Sequence, residues 1–444
     1  MIFHSFGFLF LFLPLALAAY WIPAVLGRRE WSIRLLTIAS FVFYAMWYWP
    51  HVFVLAASVG MNYVLGARIA RTKSGRLLGM AVGLNLAALA WFKYAPGLGM
   101  PVLLPLGISF FTFTQIAFLV DAREGEISEL SPWRYALFVS FFPHSIAGPI
   151  LHHKEMMDQF AAPESTRWDR VQWGSGLTHL TVGLVKKVAI ADTLAPWANA
   201  AFGVAGPGSG PEAWMGLATY ALQLYFDFSG YCDMANGLAQ LFHIQFPKNF
   251  DRPYQAGSII EFWQRWHMTL SLFLRNYVLY QLPGNLERGR LLGNIFLTML
   301  LGGIWHGSHW NFAIWGGLHG VYLVVNHVWR GRGTPMPEWA GRALTLVAVL
   351  VALVPFRAEG LAGAWRYVTA LAGGEAGRGL PGGEWQMAVV GALGLGVLFA
   401  PAMPAVRLRA WHAVALAAAF FFCLLLMRET TLQLRQSEFI YFRF

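Results

Sequence analysis

The sequence carries little charge and almost no cysteine. Only 12% of its 444 residues are Asp, Glu, Lys or Arg, about half the share of an ordinary soluble domain. Its two cysteines make at most one bridge, which excludes a small disulfide scaffold. No polar stretch is long enough for a soluble domain, and no long internal repeat is visible. There is no GxSxG elbow, Walker A sequence or dinucleotide fingerprint, so hydrolase triads, ATP-driven transport and Rossmann redox chemistry lack support. Neither HExxH nor a Cys/His set with zinc spacing occurs, and no metal site is expected.

What fills the chain is apolar: 57% hydrophobic and 16% aromatic residues. The aromatic share excludes disorder. A single soluble core stops growing at roughly 250–300 residues and could not hide this excess. The composition predicts an all-α, polytopic transmembrane protein, a single integral membrane domain over residues 1–444. At ~20 residues per crossing, about 10–12 spans use roughly 200–240 residues, leaving room for short re-entrant or interfacial helices. The net charge of +10 sits in short loops between apolar runs. That is positive-inside patterning rather than a nucleic-acid surface, so membrane lipid is the expected surrounding and nucleic acid is not.

The basic residues alternate from loop to loop. Arg28, Arg29 and Arg34 follow the first apolar run; the turn at Pro50 is uncharged; Arg68, Arg71, Lys73 and Arg76 come next. Residues 95–104 are again uncharged, and Arg123 and Arg134 follow. This predicts a multi-pass chain with its N-terminus outside and these basic loops in the cytoplasm. Residues 6–19 end in a signal-peptidase-like Leu-Ala-Leu-Ala-Ala, but no Lys or Arg precedes them and the apolar run continues to Val25. They read as a retained span.

Residues 133–150 are apolar but broken by Pro143, Gly148 and Pro149, which suits either a span or a re-entrant pair. A helical stretch at 168–202 is interrupted by Lys186-Lys187, and 212–244 is long and apolar. An amphipathic helix is expected at 258–281, with spans at 291–305 and 310–328. The C-terminal spans lie within about 337–428, near 340–356, 385–402 and 410–427. A weak helix at 361–372 and a Gly-rich loop at 373–383 separate the first two of these.

Ionisable groups at membrane depth mark functional cavities, and here polarity gathers between about 220 and 320. On the 258–281 helix, Gln264, His267, Ser271 and Arg275 are spaced to share one face, beside an apolar face of Trp266, Leu270, Phe273 and Tyr277. The plainer alternative is an interfacial helix with its stripe in water. His306 lies in Gly302-Gly303-Ile304-Trp305-His306-Gly307-Ser308-His309-Trp310-Asn311, where glycines permit close backbone approach. A neutral imidazole there can take and return a hydroxyl proton; in isolation it could equally be a structural His. His309 and His319 add imidazoles without a metal-binding pattern. Asp227 and Asp233 need partners, with Lys186, Lys187, Arg252 and Arg265 as candidates. Cys232 and Cys423 read as packed side chains, and His152-His153 has no clear partner.

Pro105-Leu-Gly-Ile-Ser-Phe-Phe-Thr-Phe, Tyr225-Phe-Asp-Phe-Ser-Gly-Tyr-Cys-Asp-Met-Ala, Phe250-Asp-Arg-Pro-Tyr, Phe262-Trp-Gln-Arg-Trp-His-Met-Thr-Leu-Ser and Gly303-Ile-Trp-His-Gly occur in this order. Together they resemble the membrane-bound O-acyltransferase (MBOAT) family, closest to its bacterial alginate O-acetyltransferase-like branch. The likeness spans about residues 100–325. The terminal Phe439-Ile-Tyr-Phe-Arg-Phe is also similar to that branch. The resemblance implies the MBOAT fold and a membrane-embedded cavity reached by the acyl donor from the cytoplasm. It places the catalytic histidine at His306 and a second polar residue of the site at His267, 39 residues earlier. Asp227, Asp233 and Arg265 fall in matching motifs as cavity or structural residues. Gln264, Ser271, Arg275, Trp305 and Asn311 complete the expected cavity lining.

The implied chemistry moves an acetyl group from a thioester, acetyl-CoA or another acyl thioester, to a hydroxyl, with no bound cofactor. His306 would act as general base, while His267 would orient the substrate or donate to the oxyanion. The implied acceptor is an exported polysaccharide such as alginate, with a periplasmic acetyl-transfer partner protein finishing the reaction. Teichoic acid, peptidoglycan or lipid acceptors are the related alternatives. A transporter or channel using the 220–320 cavity is the alternative of another class.

Overall fold

The computed structural model describes residues 2–127, 130–162, 169–203, 206–284, 287–373, 379–401, 410–432 and 440. Among these every regular element is helical. The terminal motif, Ile440 apart, and residues 374–378 of the Gly-rich loop lie outside the described residues. The chain divides into two compact units. The first holds residues 1–185, 230–247 and 408–436; the second holds 186–229, 248–407 and 437–444.

The first unit opens with α1 (Leu13–Val25), continuous with a π-helical turn at Phe8–Phe12, then α2 (Arg29–Ala45), α3 (His51–Thr72), α4 (Gly75–Tyr94) and α5 (Ile108–Glu124). The loops between them are those picked out by charge and by Pro50. The α3–α4 turn is built by Lys73 in the left-handed region and by Ser74, whose hydroxyl accepts from the Leu77 N–H at 3.3 Å and so caps α4. Gly107 begins α5 at φ +71°, and a Cβ there would lie 2.2 Å from the Ser145 carbonyl oxygen. That contact explains the glycine in Pro105-Leu-Gly-Ile-Ser.

The 133–150 segment is not one span. Helix α6 (Pro132–Ser140) is nine residues long, far short of a bilayer. Its continuation through Leu151 is irregular and buried. Irregular backbone in an apolar setting must find partners within the protein. Here the Phe142 N–H donates to Ser40 Oγ at 3.3 Å, and His144 Nε2 bonds the Phe138 carbonyl at 2.7 Å. Helices α7 (His153–Ala161) and α8 (Arg170–Leu184) follow.

The second unit begins where a break was expected at Lys186-Lys187. The chain instead stays helical through a π turn at Val185–Ala191 and on into α9 (Asp192–Ala201). Helix α10 (Gly210–Leu241) gives its first part to the second unit and its last part to the first. The expected 258–281 helix is broken into α11 (Ile259–Arg265), α12 (Met268–Phe273), a π turn at Leu274–Val278 and a short 3-10 turn at Leu279–Gln281. Then come α13 (Arg288–His306), α14 (Trp310–Gly331), α15 (Glu338–Arg357), α16 (Gly360–Leu371) and α17 (Gly383–Phe399). Helix α18 (Ala410–Leu432) belongs to the first unit.

Among the described residues five helices are long and apolar enough to cross a membrane: residues 8–25, α3, α4, α15 and residues 411–430. Only 17% of the apolar window of α4 and 11% of that of residues 411–430 is buried within the protein. Apolar surface on that scale is tolerated in lipid and not in water. Five is fewer than the expected 10–12. Helices α2 and α5 have 17 residues each, while α10, α13 and α14 have the length but are diluted by Gly, His and charged residues.

Candidate active site

The break inside 258–281 creates the site. Ser258 caps α11 by accepting from the Glu261 N–H at 3.2 Å, and Glu261 Oε2 accepts from the Gly257 N–H at 2.7 Å. The helix stops at Trp266, which is extended, and His267, which is left-handed at φ 44°, ψ 53°. The cause lies earlier in the chain. The Asp251 N–H donates to the Arg265 carbonyl at 2.8 Å, and the Met268 N–H donates to the Asn249 carbonyl at 3.0 Å. These bonds draw the backbone out of the helix on either side of His267. Trp266 fills the break, stacked on Phe262 at 5.7 Å and edge-on to Phe250 at 5.0 Å.

His267 is 1% exposed. Its Nδ1 lies 3.2 Å from Asn249 Oδ1, which also accepts from the Thr269 N–H at 3.1 Å and the Thr269 hydroxyl at 3.0 Å. A backbone N–H only donates, so this Asn249 atom is the oxygen. The His267 nitrogen facing it therefore carries the proton, and Nε2 of the neutral ring carries the lone pair.

His306 is the last residue of α13, followed by extended Gly307. Helices α13 and α14 touch backbone to backbone: a Cβ on Gly303 would meet the Phe312 carbonyl oxygen at 2.3 Å and Gly316 Cα at 2.8 Å. This approach brings His306 against Trp315, ring centroids 4.9 Å apart, with Trp305 at 4.8 Å and Phe356 at 5.5 Å.

His267 and His306 line one chamber, together with His319. Its wall is otherwise apolar or aromatic: Leu224 from α10, Tyr254, Phe262 and Trp263 from α11, Trp266, Leu270, Trp315 from α14, and Val349, Leu353 and Phe356 from α15. The hollow measures about 20 Å³, enough for one or two small groups the size of water. Among the described residues no group of three His, Cys, Asp or Glu is placed to hold a metal ion.

The other expected site residues are not on this wall. Gln264 and Arg275 are exposed, because the break abolishes the common face that regular helical spacing predicts. Arg265 pairs with Glu261 at 2.5 Å, and the Ser271 hydroxyl donates to the Trp266 carbonyl at 3.4 Å. The Asn311 amide donates to the Ala358 and Gly360 carbonyls at 2.8 and 3.2 Å, joining α14 to the α15–α16 turn. Trp305 abuts His306 without lining the chamber. Asp233 belongs to the first unit. Asp227 takes the expected lysine: Lys187 Nζ lies 2.7 Å from Asp227 Oδ1 and 2.9 Å from Asp192 Oδ1, and Asp227 Oδ2 accepts from the Ile440 N–H at 3.0 Å. That buried cluster is held together by its own partners, with the π turn aiming Lys187 inward. Sequence reading missed Trp263, Trp315 and the α15 residues, and it gave His319 no place in the site. The spacing of Trp315 and His319, one helical turn apart on α14, was the available signal.

Comparison with known proteins identifies the family. Residues 76–351 match the profile of MBOAT, the membrane-bound O-acyltransferase family. The chain is 40% identical over 401 residues to a probable alginate O-acetylase, AlgI, of Azotobacter vinelandii, covering 84% of this chain and 78% of that protein. It is 37% identical over 421 residues to a peptidoglycan O-acetyltransferase of Helicobacter pylori, covering 84% and 80%. A teichoic acid D-alanyltransferase of Bacillus subtilis is 27% identical over 266 residues, 55% of this chain and 65% of that protein. The transporter alternative gives way to an enzyme. The chain belongs to the membrane-bound O-acyltransferase family, and it is a multi-pass membrane O-acyltransferase.

Proposed function

We propose that this protein transfers an acetyl group from a thioester to a hydroxyl, serving O-acetylation of a cell-envelope polysaccharide, with His306 as the general base and His267 orienting the acceptor. The observation that carries this reading is that both imidazoles, far apart in sequence, line one small apolar chamber. His306 takes the hydroxyl proton as the alcohol oxygen attacks the thioester carbonyl carbon. Collapse of the tetrahedral intermediate breaks the C–S bond, and the imidazolium returns the proton to the leaving thiolate. His306 ends α13, whose carbonyl end favours the transient positive charge on the ring. His267 donates its Nδ1–H to Asn249, so Nε2 is an acceptor and can hold a neighbouring hydroxyl of the acceptor while the reacting hydroxyl gives its proton to His306. This favours the orienting role over oxyanion donation.

Alginate O-acetylase and peptidoglycan O-acetyltransferase relatives of similar identity support an acetyl donor and a glycan acceptor. The charge alternation supports an inner-membrane setting with a periplasmic N-terminus and a cytoplasmic thioester such as acetyl-CoA. A periplasmic partner would then complete delivery to the polymer. The test is His306→Ala in membranes holding normal protein levels, assayed with labelled acetyl-CoA for transfer and thiol release. Loss of both is expected, and unchanged transfer overturns the assignment.

A further inference from the structure

On the chamber wall, Trp263 Nε1, Trp315 Nε1 and His319 Nδ1 are buried without a hydrogen-bond partner. Their residues are 7%, 5% and 1% exposed. They form one cluster, with ring centroids 5.9 Å apart for Trp263 and Trp315, 5.1 Å for Trp263 and His319, and 4.9 Å for Trp315 and His319. Trp315 also lies 4.9 Å from His306. Buried polar groups are nearly always satisfied, and a group left without a partner calls for a ligand or a water. An indole nitrogen is a donor only. Two of them in an apolar wall therefore ask for an acceptor, and one bearing negative charge suits them best.

We propose that Trp263, Trp315 and His319 form the subsite that receives the acyl carbonyl oxygen beside His306. The inference rests on the acyl-transfer reading above. When the hydroxyl oxygen bonds to the carbonyl carbon, the C=O π pair moves onto this oxygen. The two indole N–H groups and the protonated nitrogen of neutral His319 hold that charge until the C–S bond breaks and the pair returns. The chamber keeps bulk water away, and fixed donors in such a setting stabilise a developing oxyanion strongly. None of the three residues exchanges a proton with substrate; the subsite acts on the barrier alone.

The test uses the full-length protein in membranes, with acetyl-CoA as donor and mannuronan or peptidoglycan oligosaccharide as acceptor. Trp263→Phe and Trp315→Phe keep a ring and remove the N–H. Each is expected to lower kcat by about 10²-fold with the acceptor KM unchanged. His319→Gln, which retains a donor, is expected to keep more activity than His319→Phe. Should a Phe variant fail to fold, benzothienylalanine at position 263 or 315 replaces N–H by sulfur in a ring of nearly the same shape. Active wild type, inactive His306→Ala and Trp variants within about twofold of wild type would mean that the cluster binds a structural water only, overturning the subsite and leaving the acyl-transfer reading intact. Wild type that releases no thiol overturns both.

Discussion

Two buried polar regions of this protein are built on opposite rules. In the first unit, Asn62 and Asn85 exchange amide hydrogen bonds at 3.1 and 2.7 Å between α3 and α4. Nearby, Gln115 donates to Ser58 at 2.8 Å and accepts from the Tyr135 hydroxyl at 3.3 Å. These groups satisfy one another and hold helices together where water is absent. In the chamber of the second unit, two indoles and an imidazole are buried with polar atoms left open. Under the proposed subsite, the closed network fastens helices while the open donors receive a ligand.

The comparison can be broken at several points. The largest effect is expected at the Lys187–Asp227 pair, whose side chains are each 2% exposed. Asp227→Leu alone should cost about 3–5 kcal/mol, because it leaves a buried charge short of its partner, whereas Lys187→Met combined with Asp227→Leu should recover most of that. Thermal unfolding in detergent reads both. Gly303→Ala drives a methyl into the Phe312 carbonyl and should destabilise by about 1–3 kcal/mol with loss of transfer. At Gly317 a Cβ meets nothing within 4 Å, and Gly317→Ala should match wild type in the same assays.

Asn249 sharpens the contrast within the site. Asn249→Ala frees the His267 tautomer and should lower transfer by about 10- to 100-fold. Asn249→Asp keeps the acceptor oxygen and should rescue much of it, with a changed pH–rate profile. In the first unit, Asn62→Leu should cost about 1–3 kcal/mol by stranding Asn85, while the double leucine variant should lie nearer wild type. Smallest of all, Gln264→Ala and Arg275→Ala should leave transfer within about twofold, as exposed positions do.

Much of this was legible in sequence. Apolar runs and charged loops located the early helices, and the ordered motifs pointed to His267 and His306. The need of a buried carboxylate for a cation put Lys187 among the partners of Asp227. The break at Trp266 was not legible, because helical periodicity counts only local neighbours and the wedge comes from Asn249 and Asp251. That one interruption explains why Gln264 and Arg275 point away from the chamber. Trp263 and Trp315 read as filling, since an indole shows its donor only once its surroundings are seen to lack an acceptor. Leu353 and Phe356 sit some ninety residues beyond His267, and only tertiary packing brings them to the same wall.

The narrowness of the hollow bears on the fate of the thioester. A space of about 20 Å³ takes one or two water-sized groups, so once the reacting carbonyl and hydroxyl are seated no place is left beside them for a further water. Under the proposed chemistry the bound acceptor hydroxyl excludes water from the activated carbonyl, so with both substrates seated the acetyl group goes to the glycan rather than to hydrolysis. Trimming Leu353 or Phe356 would remove that safeguard and turn a transferase toward a thioesterase.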